Sequence, residues 1–160
     1  MIKLTVIAVG RLKEKYLRDA CEEYKKRLSA YAKVNIIEID EYRCSESPSP
    51  AEIEQVKNRE GEAIAAKIPK GAYIIPMCIE GTQLSSEEIA AKLSDVTVKG
   101  YGEIALIIGG SFGISDAVKA QGNFKLSFGK ITLPHQLMRV VTLEQLYRAT
   151  SILNNSKYHK

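Results

Sequence analysis

Two glycine-containing strand ends in the C-terminal half of the chain are the segments best suited to binding a ligand. A buried strand predicted at residues 104–108 ends at Gly109 and Gly110, and a second strand around residues 124–126 leads into the loop at 127–130. Glycines at strand ends leave backbone N–H and C=O groups accessible, because no Cβ keeps a ligand away. The pattern predicts one pocket built largely of main chain, although a tight turn alone is an alternative for the double glycine.

The only two histidines, His135 and His159, are candidates for proton transfer. His135 lies in the first turn of the last predicted helix, where a structural hydrogen bond is an alternative role. His159 lies in the terminal segment 154–160, next to Tyr158 and between two lysines. Chain termini are usually frayed, but this combination is suited to stacking on an RNA base and binding phosphate.

Positive charge is concentrated in the last third of the chain. The formal net charge is +4 for all 160 residues, whereas residues 117–160 contain seven Lys or Arg and a single Glu, a net charge of +6. This distribution favours a phosphate-bearing partner and predicts salt-dependent binding. Alternatively, these lysines only keep the protein surface solvated and bind no partner.

The composition is typical of one globular domain, with 45% hydrophobic and 26% charged residues. We expect a single domain spanning residues 1–160. No segment approaches the roughly 20 apolar residues of a membrane span, and Lys3 interrupts the N-terminus where a secretory signal is apolar. We therefore expect a cytoplasmic protein.

The three cysteines indicate neither a disulfide framework nor a zinc site. Cys21, Cys44 and Cys78 are odd in number and widely spaced, and they lack CxxC or Cys/His ligand spacing. Cys78 lies beside the proposed pocket, and we interpret it as a buried structural residue. No metal is expected.

Alternating strand and helix patterns predict an open, mostly parallel α/β sheet with helices on both faces. Residues 73–79 are nearly continuously apolar, which indicates burial on both faces, and Glu80 and Gly81 are expected to end that strand. Ser85 and Glu88 predict a capping box for a helix that continues to about residue 95. Further strands are predicted at 2–9 and 34–39, and further helices are predicted around 17–28, from 50 and from 115.

The last helix, which we expect to begin at Pro134, is apolar around most of its circumference. One side can pack on the sheet. A second copy of the chain is expected to cover the other, unless the helix is wholly internal.

Neither of the common nucleotide-binding motifs occurs. The chain lacks GxxxxGK[ST], and it lacks GxGxxG after the first strand, so ATP and NAD are not favoured and a nucleotide-binding oxidoreductase has no support. Ligands in open α/β sheets bind beyond the carboxyl ends of strands, which directs attention to the ends at residues 76–81, 109–113 and 127–133.

Four stretches carry a resemblance that covers the whole chain: MIKLTVIAVGRLKEKY, IIGGSFG, LSFGKITLPHQLMRVVTLEQLYRA and the terminal KYHK. In these stretches the chain resembles the RlmH family of bacterial large-subunit ribosomal RNA pseudouridine N3-methyltransferases, which belongs to the SPOUT class. The resemblance implies a SPOUT-type α/β fold with a C-terminal trefoil knot at about residues 103–160. It also implies a homodimer that binds S-adenosyl-L-methionine and methylates N3 of a pseudouridine in 23S rRNA of the assembled ribosome.

The same resemblance implies the site residues. Methyl-donor contacts fall on Met77, Gly109, Phe128, Gly129, Lys130, Ile131, Thr132 and Leu133, and Met77 stands where leucine is typical of the family. Tyr158 and His159 are implied near the target base, beside the partner subunit's pocket. We expect Arg139 or Arg148 as cationic support, with His135 in reserve as the base.

A different class of function remains open at this point. A dimer that binds RNA and has lost its donor site would share the basic C-terminal third and the aromatic tail. Only the enzyme predicts a methyl group on ribosomal RNA that depends on the protein.

Overall fold

Five strands form one sheet in which every neighbouring pair is parallel, as predicted. The computed structural model describes residues 1–160. The strands are β1 (Ile2–Val9), β2 (Ala32–Ile39), β3 (Tyr73–Gln83), β4 (Glu103–Ile108) and β5 (Leu126–Ser127). The helices are α1 (Lys15–Leu28), α2 (Pro50–Lys67), α3 (Ser86–Val98), α4 (Asp116–Gln121) and α5 (His135–Leu153). The strand order is β2-β1-β4-β3-β5.

The central strands are continuously apolar because helices cover both faces of the sheet. Alternate residues of β1 point to different cores: Leu4 and Val6 belong to a cluster with side chains of α1, α3 and α5, whereas Ile7 and Val9 pack with side chains of α2 and α4. The predicted two-faced α/β architecture is therefore confirmed. None of the helices combines the length and the apolar character that a membrane crossing requires.

Side-chain caps fix where α2 and α3 begin. The Ser49 hydroxyl accepts a hydrogen bond from the Glu52 N–H (3.2 Å), and the Ser49 N–H donates to the Glu52 carboxylate (3.4 Å), which completes a capping box. At α3, the Ser85 hydroxyl accepts from the Glu88 N–H (3.1 Å), but the reciprocal bond of the predicted box is missing. The helix also continues to Val98, three residues beyond the predicted end.

The prediction that Glu80 and Gly81 end β3 is wrong. The strand continues to Gln83, because the Thr82 N–H donates to the Lys125 carbonyl (2.9 Å) and the last two residues pair with β5. Gly81 permits this close approach, since a Cβ there would lie 2.8 Å from the carbonyl carbon of Leu126. The extension holds the loop after β5 beside the carboxyl end of β3.

The last helix, α5, packs between α1 and α3. It begins at His135, with Pro134 as its N-cap, close to the predicted start. Leu143 and Leu146 are buried against the sheet, whereas Leu137 and Leu153 are 38% and 42% exposed. The helix is thus covered on one side and presents apolar side chains to solvent in this single chain. The homodimer stays a prediction.

Candidate functional site

A cavity of about 670 Å³ opens at the carboxyl ends of β3 and β4, beside the loop that follows β5. This volume lies within the range of about 300–1,000 Å³ that small-molecule sites occupy. Its lining comes from residues 77–80, residues 108–114, Lys119, residues 127–129 and residues 131–135, with Met138 of α5 completing the wall. All three strand ends singled out in the sequence therefore meet at one cavity.

The double glycine after β4 is both a tight turn and a cavity wall. The Gly113 N–H donates to the Gly110 carbonyl (3.0 Å), which closes the turn. A Cβ on Gly109 would lie 2.6 Å from the carbonyl carbon of Gly113, a distance that real Cβ atoms essentially never show. The turn that forms this wall of the cavity can close so tightly only because residue 109 has no side chain.

The loop after β5 is held in shape by one serine. The Ser127 hydroxyl accepts a hydrogen bond from the Gly129 N–H (3.1 Å) and donates to the Gly129 carbonyl (3.1 Å). Met77, which is 6% exposed, and Leu133 add apolar side chains to the lining of the cavity. The cavity therefore combines a main-chain edge with apolar surface.

One ion pair lies in the cavity wall. Lys119 Nζ lies 2.5 Å from Glu80 Oε1, and this hydrogen bond is the main cause that lowers the pKa of Glu80. The two charges compensate each other. Burial raises the pKa of the neighbouring Cys78 thiol, so Cys78 is a neutral thiol at pH 7 and a poor nucleophile.

His135 lines the cavity at the first turn of α5. Its Nε2 lies 3.2 Å from Glu41 Oε1, in the segment after β2, and the side chain is 16% exposed. The residue thus makes a structural contact and also faces the cavity, so both roles considered from the sequence are compatible with its position.

Most of the predicted donor contacts come together here. Seven of the eight line the cavity: Met77, Gly109, Phe128, Gly129, Ile131, Thr132 and Leu133. Lys130 does not line it. Sequence reasoning missed the Glu80–Lys119 pair, because a contact across 39 residues leaves no local pattern.

Arg139 is enclosed away from the cavity. It is 3% exposed, its Nη1 lies 2.6 Å from Glu38 Oε2, and its Nη2 donates to the Gly10 carbonyl (2.8 Å). These contacts tie α5 to the ends of β1 and β2. Such a guanidinium has little freedom to approach a bound molecule.

The C-terminal tail, residues 154–160, is fixed on the outside of α5. The Tyr158 ring centroid lies 4.6 Å from that of Tyr147, and its hydroxyl donates to Glu144 Oε1 (3.2 Å). Arg148 lies 4.8 Å above the Tyr158 ring and donates two bonds to Glu144. No tail residue lines the cavity of its own chain.

His159 is held between two charged groups. Its Nδ1 lies 3.2 Å from Arg148 Nη1, and its Nε2 lies 2.7 Å from Glu87 Oε1 at the start of α3. A guanidinium only donates, so the contact with Arg148 uses Nδ1 as an acceptor and leaves Nε2 directed at Glu87.

Burial is the main cause that raises the pKa of Tyr158 to about 12, and the negative charge of Glu144 adds to it. The phenol consequently stays protonated at neutral pH and acts as a hydrogen-bond donor. It is not suited to accept a proton from a substrate.

Comparison with known proteins gives the chain clear relatives. A family model described as "Predicted SPOUT methyltransferase" matches residues 2–159. Proteins named "Ribosomal RNA large subunit methyltransferase H" from Listeria monocytogenes and Leuconostoc mesenteroides are each 49% identical, and one from Clostridioides difficile is 45% identical. Each alignment spans 159 residues, 99% of this chain and 100% of the relative.

Solved structures share the fold at much lower sequence identity. A tRNA (m1G37) methyltransferase from Aquifex aeolicus has a TM-score of 0.51 at 14% identity, covering 92% of this chain and 69% of that one. A probable methylase family protein from Haemophilus influenzae has a TM-score of 0.50 at 13% identity, covering 98% and 67%. At this identity the likeness concerns the fold alone.

Proposed function

Because this chain belongs to the SPOUT methyltransferases, and among them to the ribosomal RNA large subunit methyltransferase H family, we propose that its cavity binds S-adenosylmethionine for methylation of N3 of a pseudouridine in 23S rRNA. The chain is an enzyme that methylates ribosomal RNA of the large subunit. The observation that carries the proposed donor site is the glycine-walled cavity where the ends of β3 and β4 meet the loop after β5.

The cavity fits a donor of this kind. Its volume suits a nucleoside joined to an amino acid. The main chain at Gly109 and along residues 128–133 has N–H and C=O groups that would form hydrogen bonds with the edge of the adenine ring. Met77 and Leu133 would enclose the ring between apolar surfaces. When bound, S-adenosylmethionine supplies a methyl group on a positively charged sulfur, so neither a metal nor a covalent enzyme intermediate is needed.

Orientation of the acceptor is expected to supply most of the rate enhancement, because methyl transfer is an in-line displacement. N3 of pseudouridine must lose its proton, and a cation near the base would stabilise the resulting anion. We favour Arg148 for this role over Arg139, since Arg139 is enclosed by Glu38 and Gly10. His159 lies beside Arg148, and we place it with Tyr158 near the target base.

We infer that two chains are needed for one complete site. The tail does not line the cavity of its own chain, and Leu137 and Leu153 of α5 are apolar and exposed. A homodimer that covers this helix would bring the tail of one subunit to the partner's cavity. In this proposal residues 103–160 form the trefoil knot of the SPOUT class, and the dimer acts on ribosomes in the cytoplasm.

Glu144 is the residue that holds the tail, so Glu144→Gln is expected to impair catalysis and spare donor binding. The neutral amide weakens the bonds from Tyr158 and Arg148. A small misplacement of a catalytic group can cost about 100-fold in rate, and we expect kcat to fall by about 10- to 100-fold. Methylation kinetics and calorimetric titration of the donor test this.

The exposed Glu62 on α2, which makes no side-chain hydrogen bond or ion pair, offers the matched control Glu62→Gln. An unchanged kcat in the Glu144 variant, or a donor affinity that falls as far as kcat, would show that Glu144 does not act through the tail.

The proposed reaction is tested by mass spectrometry of 23S rRNA from cells that lack the protein. We expect one pseudouridine to lack its methyl group in these cells and to carry it again when the intact chain is supplied. A non-catalytic RNA-binding dimer instead predicts that the methyl group persists in its absence.

A further inference from the structure

One histidine in the cavity wall is paired with a carboxylate. His135, in the first turn of α5, lines the cavity, and its Nε2 lies 3.2 Å from Glu41 Oε1 in the segment after β2. The two side chains meet over Gly10 at the end of β1, where a Cβ would lie 3.3 Å from His135 Nε2 and 3.6 Å from the carboxyl carbon of Glu41. Gly10 has a φ of +92°, so a glycine at this position makes room for the pair.

A buried carboxyl group holds the segment that carries Glu41. Glu60 of α2 is 5% exposed, and its Oε2 accepts a hydrogen bond from the N–H of Tyr42 (3.0 Å), the residue after Glu41. Its Oε1 makes no hydrogen bond and lies against the turn after β4, where a Cβ on Gly110 would lie 3.0 Å from it. Glu60 therefore links the position of Glu41 to the glycine wall of the cavity.

His135 is the group of the cavity lining best suited to accept a proton at neutral pH. The other titratable groups of the lining are Cys78, a thiol whose pKa is raised by burial, and Glu80 and Lys119, which pair with each other. A carboxylate only accepts hydrogen bonds, so Glu41 favours the neutral imidazole with its proton on Nε2. Nδ1 is then the acceptor, and it makes no hydrogen bond within the chain and is not sealed in the interior.

We propose that His135 is the base that removes the proton from N3 of the target pseudouridine, and that Glu41 is its positioning residue. The inference rests on the proposed function, since it assigns the base of that reaction. The N3–H proton passes to Nδ1 of His135, the electron pair of N3 forms the bond to the methyl carbon, and the electron pair of the broken S–CH3 bond stays on sulfur. The Glu41 carboxylate stabilises the imidazolium until its proton passes to solvent.

The charged groups around His135 are compatible with this role. Glu41 faces the ring from the segment after β2. Burial is the main cause that raises the pKa of the nearby Glu60, and the charge of Glu41 adds to it. Arg139 lies one turn further along α5, and Glu38 Oε2 compensates it at 2.6 Å from Nη1. The guanidinium therefore does not oppose the arrival of a proton on the imidazole.

The titratable groups of the tail are less suited to this role. Both ring nitrogens of His159 already contact charged groups, Arg148 and Glu87, and the phenol of Tyr158 stays protonated. A purely structural role for His135, tying α5 to the segment after β2, accounts for the contact of Nε2. It does not account for an unpaired Nδ1 on a ring that lines the cavity.

The substitution His135→Gln is expected to lower the single-turnover rate of rRNA methylation by about 100-fold or more, because general base catalysis contributes about 10²- to 10⁴-fold. Donor affinity, measured by calorimetric titration, should change far less than the rate, which also shows that the variant is folded. The remaining rate should keep rising with pH above neutrality, since ionisation of N3 in solution then supplies the nucleophile.

Glu41→Gln tests the positioning role. It is expected to lower the same rate by about 10- to 100-fold in the unchanged chain and to cause no further loss in the His135→Gln chain, because residues that act as a unit are not additive. Glu62→Gln, the exposed control on α2, should leave the rate unaltered in both chains. Nitrogen-15 NMR of the unchanged protein should show the neutral imidazole of His135 with its proton on Nε2.

The inference is overturned by any of three results. The first is a rate in the His135→Gln chain that falls by less than about tenfold. The second is a donor affinity that falls as far as the rate, which would assign His135 to donor binding. The third is a neutral imidazole with its proton on Nδ1 in the unchanged protein. Failure of the proposed function is distinguishable, since the unchanged protein would then bind no donor and methylate no rRNA.

Discussion

Replacing Gly109 with alanine is expected to weaken binding of S-adenosylmethionine by about 10- to 100-fold. The new Cβ would meet the carbonyl carbon of Gly113 at 2.6 Å and its oxygen at 2.9 Å, both backbone atoms that cannot rotate away. Overpacking of this kind costs about 1–3 kcal/mol, and each 1.4 kcal/mol corresponds to about tenfold in affinity. Calorimetric titration measures the loss, and thermal unfolding shows whether the chain remains folded.

Gly102→Ala is the matched control for that substitution. Gly102 lies just before β4, and a Cβ built there has no atom within 4 Å. The same chemical change at this position should leave donor affinity unaltered and slightly favour the folded chain. If the Gly109 variant folds and binds the donor as tightly as the Gly102 variant does, the turn after β4 is not a wall of the donor site.

Removal of residues 157–160 is expected to abolish methylation while donor binding stays nearly intact. The truncation deletes Tyr158 and His159, which contact α5 and α3 on the outside of the molecule and do not line the cavity. Their loss removes the groups that we place at the target base, and the glycine wall that we place at the donor is untouched. Donor titration and rRNA methylation assays measure the two properties separately.

Tyr158→Phe complements the truncation, because it keeps a ring against Tyr147 and removes only the hydroxyl bond to Glu144. We expect this variant to retain part of the activity that the truncated chain lacks. Equal loss of donor binding and methylation on truncation would contradict the separation of the two roles.

The sequence predicts those parts of the fold that depend on local patterns of apolar residues and glycines. The nearly continuous apolar run at the start of β3 predicts burial on both faces, and parallel strands necessarily bring their carboxyl ends to one edge. From these two facts the sequence predicts that the glycines after β4 and the loop after β5 share a cavity. The assignment of individual residues of that loop as contacts of the methyl donor came instead from the family resemblance.

Contacts between distant residues were not predictable. β3 extends past Gly81 only because Lys125 supplies a carbonyl partner. The sequence suggested Arg139 as a free cation, but in the folded chain it is bound by Glu38, 101 residues away. The sequence also suggested a frayed tail, but His159 contacts Glu87, 72 residues away. Side-chain partners so far apart leave no periodic signal, so only the folded chain identifies them.

A crystal structure of the protein with bound S-adenosylmethionine would show directly whether the methyl donor occupies the cavity. We expect the donor between the turn at Gly109 and the loop from Phe128 to Leu133, with backbone N–H and C=O groups on its adenine edge and Met77 against the ring. A donor bound anywhere else on the chain, with this cavity closed by side chains, would show that the glycine-walled cavity is not the donor site.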